Sequence, residues 1–551
     1  MIRPLALLLA LNLPLAALAA DDSRPAQVDA LFAAWNKPDS PGCVTGVMSQ
    51  GKLVYAKGYG LADVARGIPL SPDTVFDIAS MAKQFTAANV ALLALDHKLA
   101  LTDDVRARLP ELHVDAPLTV DNLLHHTSGL RDYAELNQLR GIEPTDNKGV
   151  LALLARQRAL NFAPGSQFAY SNSNYVVLAE LVQRASGRPL AALARQRIFA
   201  PLKMQSTRYA GALKDDPPNL ANSYAPSGPG QFMPVPRNIQ SVGDGNLLTT
   251  VHDLALWDEN FYSNRVGGKT LARMMRTTAT LSGGKPTSYG LGLMFDTYRG
   301  LATEHHGGSF HGFRTELLRF PQQHFAVSVL CNVASANASG LAAQVADIYL
   351  SDTLQPRAAP IADVVEAKID PTKFDAYTGE YLVDFGGPLV VVRFGREGER
   401  LLIRSSFGEA VELAPISDTE LFEKKTGRGR MTFEREQDGS VSRLTLHREE
   451  GDFVGRKINA PAATSDLAAK LAGAYYSDEA DAELRLQAMG DRVIVDAGHN
   501  RRFPIMPIAD GRFVMPGGAT LDIERGPGGQ ISGLNYSSGR VANLHFVRKA
   551  P

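Results

Sequence analysis

The chain has 551 residues, and at roughly 150 residues per domain it is too long for a single domain. Hydrophobic residues make up 44% and charged residues 21%, the proportions of a globular protein rather than a disordered or fibrous one. Lys and Arg number 57 against 58 Asp and Glu, so the chain lacks the basic excess of a general nucleic-acid binder, and two cysteines exclude a disulfide scaffold or a multi-thiolate zinc site.

Met1-Ile2-Arg3 is a short basic start, followed by an uncharged run from Pro4 to Ala20 and then by Asp21-Asp22. Ala17 and Ala19 fit a cleavage site after Ala19, with Ala20 next, so residues 1–20 read as a secretory signal peptide. Pro14 and the small residues near its end argue against a retained membrane span, and no Cys follows to carry a lipid. The remaining chain is expected in the periplasm or secreted, with no membrane contact once the signal is removed.

Residues 21–356 mix strand and helix signals and read as one catalytic domain. Residues 43–49 and 52–60 look like two strands joined at Gln50-Gly51. Met81, Phe85, Ala88, Leu92 and Leu95 recur at spacings of four and three, one face of a helix. Ser80-Met81-Ala82-Lys83, of the form S-x-x-K, opens that helix, so Lys83 stands one turn beyond Ser80 on the same side. A serine hydroxyl is a poor nucleophile until a base takes its proton, and a lysine can be that base when its charged form is disfavoured. The same pattern occurs at Ser49 and Lys52 and at Ser282 and Lys285, but the first lies at a hairpin turn and the second in a Gly-Gly loop.

Tyr170-Ser171-Asn172 precedes a helix predicted over 175–185 and stopped by Gly187. Strands are predicted at 288–298, 314–320 and 325–332, and a last helix at 341–350. Between them Glu304-His305-His306-Gly307-Gly308-Ser309 leads into a strand, and its glycines suggest an edge approached closely by a substrate backbone. The pairs His125-His126 and His305-His306 invite a metal reading. There is no H-E-x-x-H and no suitable Cys partner, so no metal site is expected, and no cofactor is called for.

Past Pro356 helical periodicity gives way to short alternating runs, among them Met431/Phe433, Leu444/Leu446, Leu484/Leu486, Val493/Val495 and Leu521/Ile523. Period two with Gly-rich turns predicts antiparallel sheet. The tail also repeats itself. Gly379-Glu380-Tyr381 matches Gly473-Ala474-Tyr475, the run from Arg400 echoes that from Arg492, and the run from Phe453 echoes that from His545. Two small β-barrel domains, 372–458 and 466–551, are the economical reading, with a linker at 459–464.

In order, Ser80 and Lys83, Tyr170 to Asn172, and His306 to Gly308 resemble the serine β-lactamase and penicillin-recognising enzyme family, whose signatures include S-x-x-K. The class C and D-aminopeptidase-like branches are the most similar. Phe76-Asp77-Ile78-Ala79, the segment from Leu123 to Leu130 and that from Gly243 to Thr249 look like the family's recurring segments. The resemblance covers about residues 25–355 and implies an α/β fold, an antiparallel sheet flanked by helices plus a helical lobe. It implies Ser80 as the nucleophile of an acyl-enzyme, with Lys83 and Tyr170 sharing general-base and general-acid duty. Asn172 would orient substrate or Lys83, and His306 would contact substrate or Tyr170. The backbone N–H groups of Ser80 and Ser309, beside Gly308, would form the oxyanion hole.

The family topology would set the first strand beside the last, bringing Cys43 near Cys331. A single disulfide and two buried free thiols are both consistent with that placement. A catalytic part followed by two barrels resembles D-aminopeptidase, whose last barrel lends a loop to the active-site mouth; residues 496–510 are the candidate segment here. The leading expectation is a D-stereospecific aminopeptidase or peptidase acting on a small molecule or short peptide, with a homodimer as the assembly to test. A carboxylesterase, β-lactamase or DD-carboxypeptidase of the same family is the alternative. A non-catalytic penicillin-binding or cell-wall-binding protein is the reading from another class.

Overall fold

The computed structural model describes residues 23–550 apart from 143–145, 212–215, 239–240, 357–365, 385–388, 406–409, 425–428, 449–450, 460–463 and 499–500. The signal peptide expected at 1–20 lies outside the described residues. Among them no helix is long and apolar enough to cross a membrane.

Six antiparallel strands form the central sheet: β1 Cys43–Ser49, β2 Lys52–Tyr59, β3 Met294–Tyr298, β4 Leu301–Phe310, β5 Phe313–Phe320 and β6 Phe325–Cys331. Their order is β3-β4-β5-β6-β1-β2, so the first strand lies beside the last. The register runs from Cys43 opposite Cys331 to Ser49 opposite Phe325, and the two cysteines are joined in a disulfide.

Strand β1 is buried along nearly all its length because helices cover both faces. Cys43 and Val47 face one layer, where Val28 and Phe32 of α1 (Arg24–Phe32) meet Val345 of α6 (Ala338–Tyr349). Val44 and Met48, one residue out of phase, join the larger core with Leu254 and Trp257 of α5 (Val251–Ser263).

Helix α2 (Lys83–Leu95) is buried from Lys83 to Leu93, as a helix at the centre of a lobe must be. It packs on α4 (Asn172–Ser186), which ends where Gly187 turns left-handed at φ 72°. Helix α3 (Tyr133–Arg140) starts at Asp132, whose side chain accepts from the N–H groups of Ala134 and Glu135.

Three local expectations are corrected. The strand predicted over 288–298 is confined to β3. Gly292 takes φ +73° against the start of α2, where a Cβ would lie 2.6 Å from the Gln84 nitrogen, and the chain turns there. The motif from Glu304 to Ser309 does not lead into a strand but lies within β4. Its histidines and glycines carry no alternating pattern, so pairing with β5 is what makes it a strand. Ser80 sits in a 3₁₀ turn, Ala79–Ala82, just ahead of α2 rather than in its first α turn.

The tail forms two closed eight-stranded antiparallel barrels, from Gly379–Asp384 to Gly451–Lys457 and from Gly473–Ser477 to Leu544–Arg548. The internal repeat is structural. Tyr381 and Tyr475 lie in equivalent first strands, and each donates its hydroxyl to the carbonyl four residues earlier, at 3.1 and 2.8 Å. The core of the second barrel is continuous with that of the helical lobe, whereas the first barrel has a core of its own.

Candidate active site

Ser80 is delivered by a turn fixed from several sides. Ala79 adopts a left-handed φ of 48°, and its N–H is held by the Asp77 carboxylate at 2.9 Å. The Ile78 carbonyl accepts from Thr315 Oγ1 at 3.0 Å, which ties the turn to β5. Gly308 lies against the same carbonyl; a Cβ there would come within 2.2 Å of it, so glycine is required. Strand β3 begins at Met294, opposite His305, so among the described residues the edge of β4 from His306 onward has no strand partner on that side. The edge inferred from the glycines is therefore present, and Ser80, Gly308 and Ser309 line one cavity.

Lys83 Nζ donates to Ser80 Oγ at 3.1 Å, to Asn172 Oδ1 at 2.9 Å and to the Asp244 carbonyl at 2.7 Å. Asn172 is fixed in turn: its backbone N–H and its Nδ2 both donate to Asp132 Oδ2, at 2.7 and 3.0 Å. Tyr170 packs its ring 4.3 Å from that of His126, with Lys83 Nζ 4.9 Å from the ring centre. The Tyr170 hydroxyl is buried and has no hydrogen-bond partner among the described residues. An unmade hydrogen bond of this kind costs about 1–3 kcal/mol unless a ligand supplies it.

His306 faces the Gly307 carbonyl through Nδ1 at 2.6 Å, and its Nε2 stands 3.0 Å from the Tyr289 hydroxyl. Nδ1 therefore carries the proton and Nε2 accepts. Burial, reinforced by the charge of Lys83, pulls its pKa down to about 3, so the ring is neutral. Its ring centre lies 6.1 Å from that of Tyr170, and it lines the cleft beside Ser80. His126 is also neutral through burial, and its Nδ1 accepts from Ser171 N and Asn174 Nδ2 at 3.2 and 3.0 Å. Among the described residues no group of three His, Cys, Asp or Glu could hold a metal.

The cleft has two halves that meet at Ser80. One, of about 600 Å³, is lined by Tyr170, His306 and Glu316; the other, of about 530 Å³, by Tyr133, Asn137 and Asp244. Asp244 Oδ2 accepts from the Tyr133 hydroxyl at 2.8 Å, and burial pushes its carboxyl above the ordinary aspartate value against the pull of Lys83.

The second barrel supplies part of the wall. Its segment around Arg540 lies against that around Asp132: the Arg540 carbonyl accepts from Asp132 N at 3.2 Å and from Asn161 Nδ2 at 2.8 Å. The Arg540 guanidinium sits 5.1 Å from the centre of the Tyr170 ring and 3.6 Å from Asp132 Oδ2, and lines both halves. From the segment expected at the mouth, 496–510, Arg501 lines the Asp244 half and donates to the Gln138 carbonyl at 3.1 Å. The later segment reaches both halves through Arg540, whereas Arg501 lines one. The sequence alone does not single out Asp132, Arg314, Arg501 or Arg540. Asp132 carries a readable signal, an N-cap aspartate three residues ahead of Glu135, but that signal reports the helix and not the bond to Asn172.

A serine and a lysine one turn apart, at the junction of an antiparallel sheet and a helical lobe, define the S-x-x-K class of serine hydrolases. Residues 28–350, more than half of the chain, match the family model described as Beta-lactamase, and the protein belongs to that family. A D-aminopeptidase of Cereibacter sphaeroides (strain KD131) is 27% identical over 525 residues, covering 92% of this chain and 96% of that one. Among solved structures, the octameric penicillin-binding protein homologue from Pyrococcus abyssi aligns with TM-score 0.56 and 22% identity, over 78% of this chain and 99% of that one. The D-amino acid amidase from Ochrobactrum anthropi SV3, complexed with D-phenylalanine, aligns with TM-score 0.51 and 19% identity, over 60% of this chain and 99% of that one.

Proposed function

We propose that this chain is an exported D-stereospecific aminopeptidase or amidase that works through an acyl-enzyme on Ser80. Ser80 Oγ attacks the scissile carbonyl as its proton passes to the Lys83 and Tyr170 pair, and the C–N bond breaks as that proton reaches the departing nitrogen. The N–H groups of Ser80 and Ser309 take the negative charge on the carbonyl oxygen. Water then attacks the ester and the same groups return a proton to Ser80, releasing a D-amino acid. The departing group occupies the Tyr170 and His306 half, because its nitrogen must meet the proton there. The acyl residue occupies the Asp244 half, where that carboxylate answers a free α-ammonium.

The observation that carries this reading is the second barrel at the cleft wall, where Arg501 and Arg540 line the half of about 530 Å³ assigned to the acyl residue. The D-aminopeptidase of Cereibacter sphaeroides aligns over 92% of this chain, barrels included, which supports the same reading.

The test is purified protein and its Ser80→Ala variant assayed on D-alanine and L-alanine p-nitroanilides, a short-chain ester and a chromogenic cephalosporin. We expect D-anilide turnover that falls by about 10³ or more in the variant. Turnover of ester or cephalosporin without D-anilide would replace the peptidase reading by an esterase or β-lactamase. Equal turnover by Ser80→Ala would remove the assignment of Ser80, and turnover of none of the substrates would leave a binding protein.

A further inference from the structure

Three arginines line the acyl half of the cleft: Arg314 from β5, and Arg501 and Arg540 from the second barrel. Arg314 is half-buried, and its Nη1 donates to the carbonyls of His311 and Phe313, at 2.9 and 2.7 Å. Burial lowers its pKa from the ordinary arginine value. Arg501 holds the Gln138 carbonyl near the C-terminal end of α3, a favourable place for a cation, and uses one of its five donors there. Among the described residues neither Arg314 nor Arg501 makes an ion pair with a carboxylate. Arg540 has one, Asp132, at 3.6 Å, and that carboxylate oxygen already accepts two hydrogen bonds from Asn172.

Arg540 is answered by Asp132 and by the charge of nearby Glu135, whereas among the described residues Arg314 and Arg501 are not answered from within the cleft. Among the described residues Asp244 is the single carboxylate lining the acyl half; it accepts from Tyr133 and pairs with none of the three arginines. The other half shares Arg314 and Arg540 with the acyl half but carries a carboxyl group of its own. Arg501 does not line it, and its Glu316 pairs with His305 at 3.2 Å. Arg314 is half-buried without a carboxylate partner among the described residues, which is unfavourable for a guanidinium, and a bound carboxylate relieves it through charge-assisted hydrogen bonds; Arg501 is exposed and adds a cation without that penalty.

We propose that this half is an anion subsite and that the preferred acyl residue is acidic, D-glutamate or D-aspartate. Its α-ammonium faces Asp244 and its side-chain carboxylate lies among Arg314, Arg501 and Arg540. The inference rests on the aminopeptidase reading for the orientation of the substrate, and its own content is the charge preference.

The experiment crosses two independent variables, using p-nitroanilides of D-Glu, D-Gln, L-Glu and L-Gln. The Glu and Gln substrates differ in charge and scarcely in shape. We expect kcat/KM for the D-Glu anilide to exceed that for D-Gln by about tenfold or more, as a charged hydrogen bond is worth. The ratio falls as salt is added and drops toward one in Arg540→Gln and Arg501→Gln. A ratio of one or below in the unaltered protein overturns the subsite. Equal D and L turnover with the acidic preference kept overturns the stereospecific reading and supports the subsite. If no anilide is cleaved, calorimetry of Ser80→Ala with free D-glutamate and D-glutamine decides: tighter D-glutamate binding supports the subsite, and D-glutamine binding as tight overturns it.

Discussion

His306 is a buried imidazole whose pKa in the folded protein is about 3, against about 6.5 for an exposed histidine. Below about pH 6.5 the unfolded chain takes up a proton here and the folded chain does not. The stability from keeping this ring neutral is therefore fully present above about pH 6.5 and is lost as the pH falls toward the folded value. His306→Gln removes that linkage, since glutamine does not titrate. The stability gap between the protein and its variant should shrink by about 1.4 kcal/mol per pH unit below about 6.5. Urea unfolding of both at about pH 8 and about pH 5 measures it. A gap that stays constant or widens on acidification would mean that the ring is charged in the folded state. That result would also put a proton on both ring nitrogens, leaving the Nδ1 donor to Gly307 in place but removing the assignment of Nε2 as an acceptor.

Strands β1 and β6 are tied by the bridge between Cys43 and Cys331 as well as by their ladder, across a sequence separation of 288. Cross-linking residues so far apart restricts the unfolded chain strongly, and removing a native bridge commonly costs about 2–5 kcal/mol. Cys43→Ala should lower the thermal midpoint. Thiol titration of the unfolded protein should find both thiols with reductant and none without, whereas equal counts would disprove the bridge. The pairing is reachable from the amino-acid sequence through family topology, because spacing alone does not say which strands are neighbours. The same limit governs the site. Ser80 and Lys83 are legible because helix periodicity sets one turn between them, and Tyr170 and Asn172 because they sit at the start of a helix with a clear stop, although that helix begins at Asn172 itself rather than at 175. Strand β4 is not legible, because His305-His306-Gly307-Gly308 has no β pattern and takes its form from β5. Arg540 is not legible either, because no local rule links it to Tyr170 and only docking of the second barrel brings the two together.

The two barrels are copies in sequence and topology but not in how they are held. Apolar residues of the second barrel, Leu484 and Phe546 among them, belong to the same core as the helical lobe, while Phe394 and Phe433 of the first barrel sit in a separate one. Polar contacts follow the same division. Arg131, whose side chain is 1% exposed, donates to Glu479 at 2.6 Å and to the Ala542 carbonyl at 3.1 Å, so a buried cation of the lobe is neutralised by the second barrel. Its neighbour Asp132 holds Asn172, which holds Lys83, so docking of that barrel bears on the position of the lysine. A core that the first barrel shares with no other element predicts that it unfolds as its own cooperative unit. Calorimetry should show a smaller transition for the first barrel and a larger one in which the lobe, sheet and second barrel unfold together. Arg131→Ala breaks a buried ion pair, a change worth about 3–5 kcal/mol, and should lower the larger transition while leaving the smaller one in place. Loss of activity should track the larger transition, because Ser80, Lys83 and Arg540 all lie within that unit. Melting of both barrels together, ahead of the catalytic part, would show that the second barrel is an appendage and that its contacts with the cleft do not hold the site.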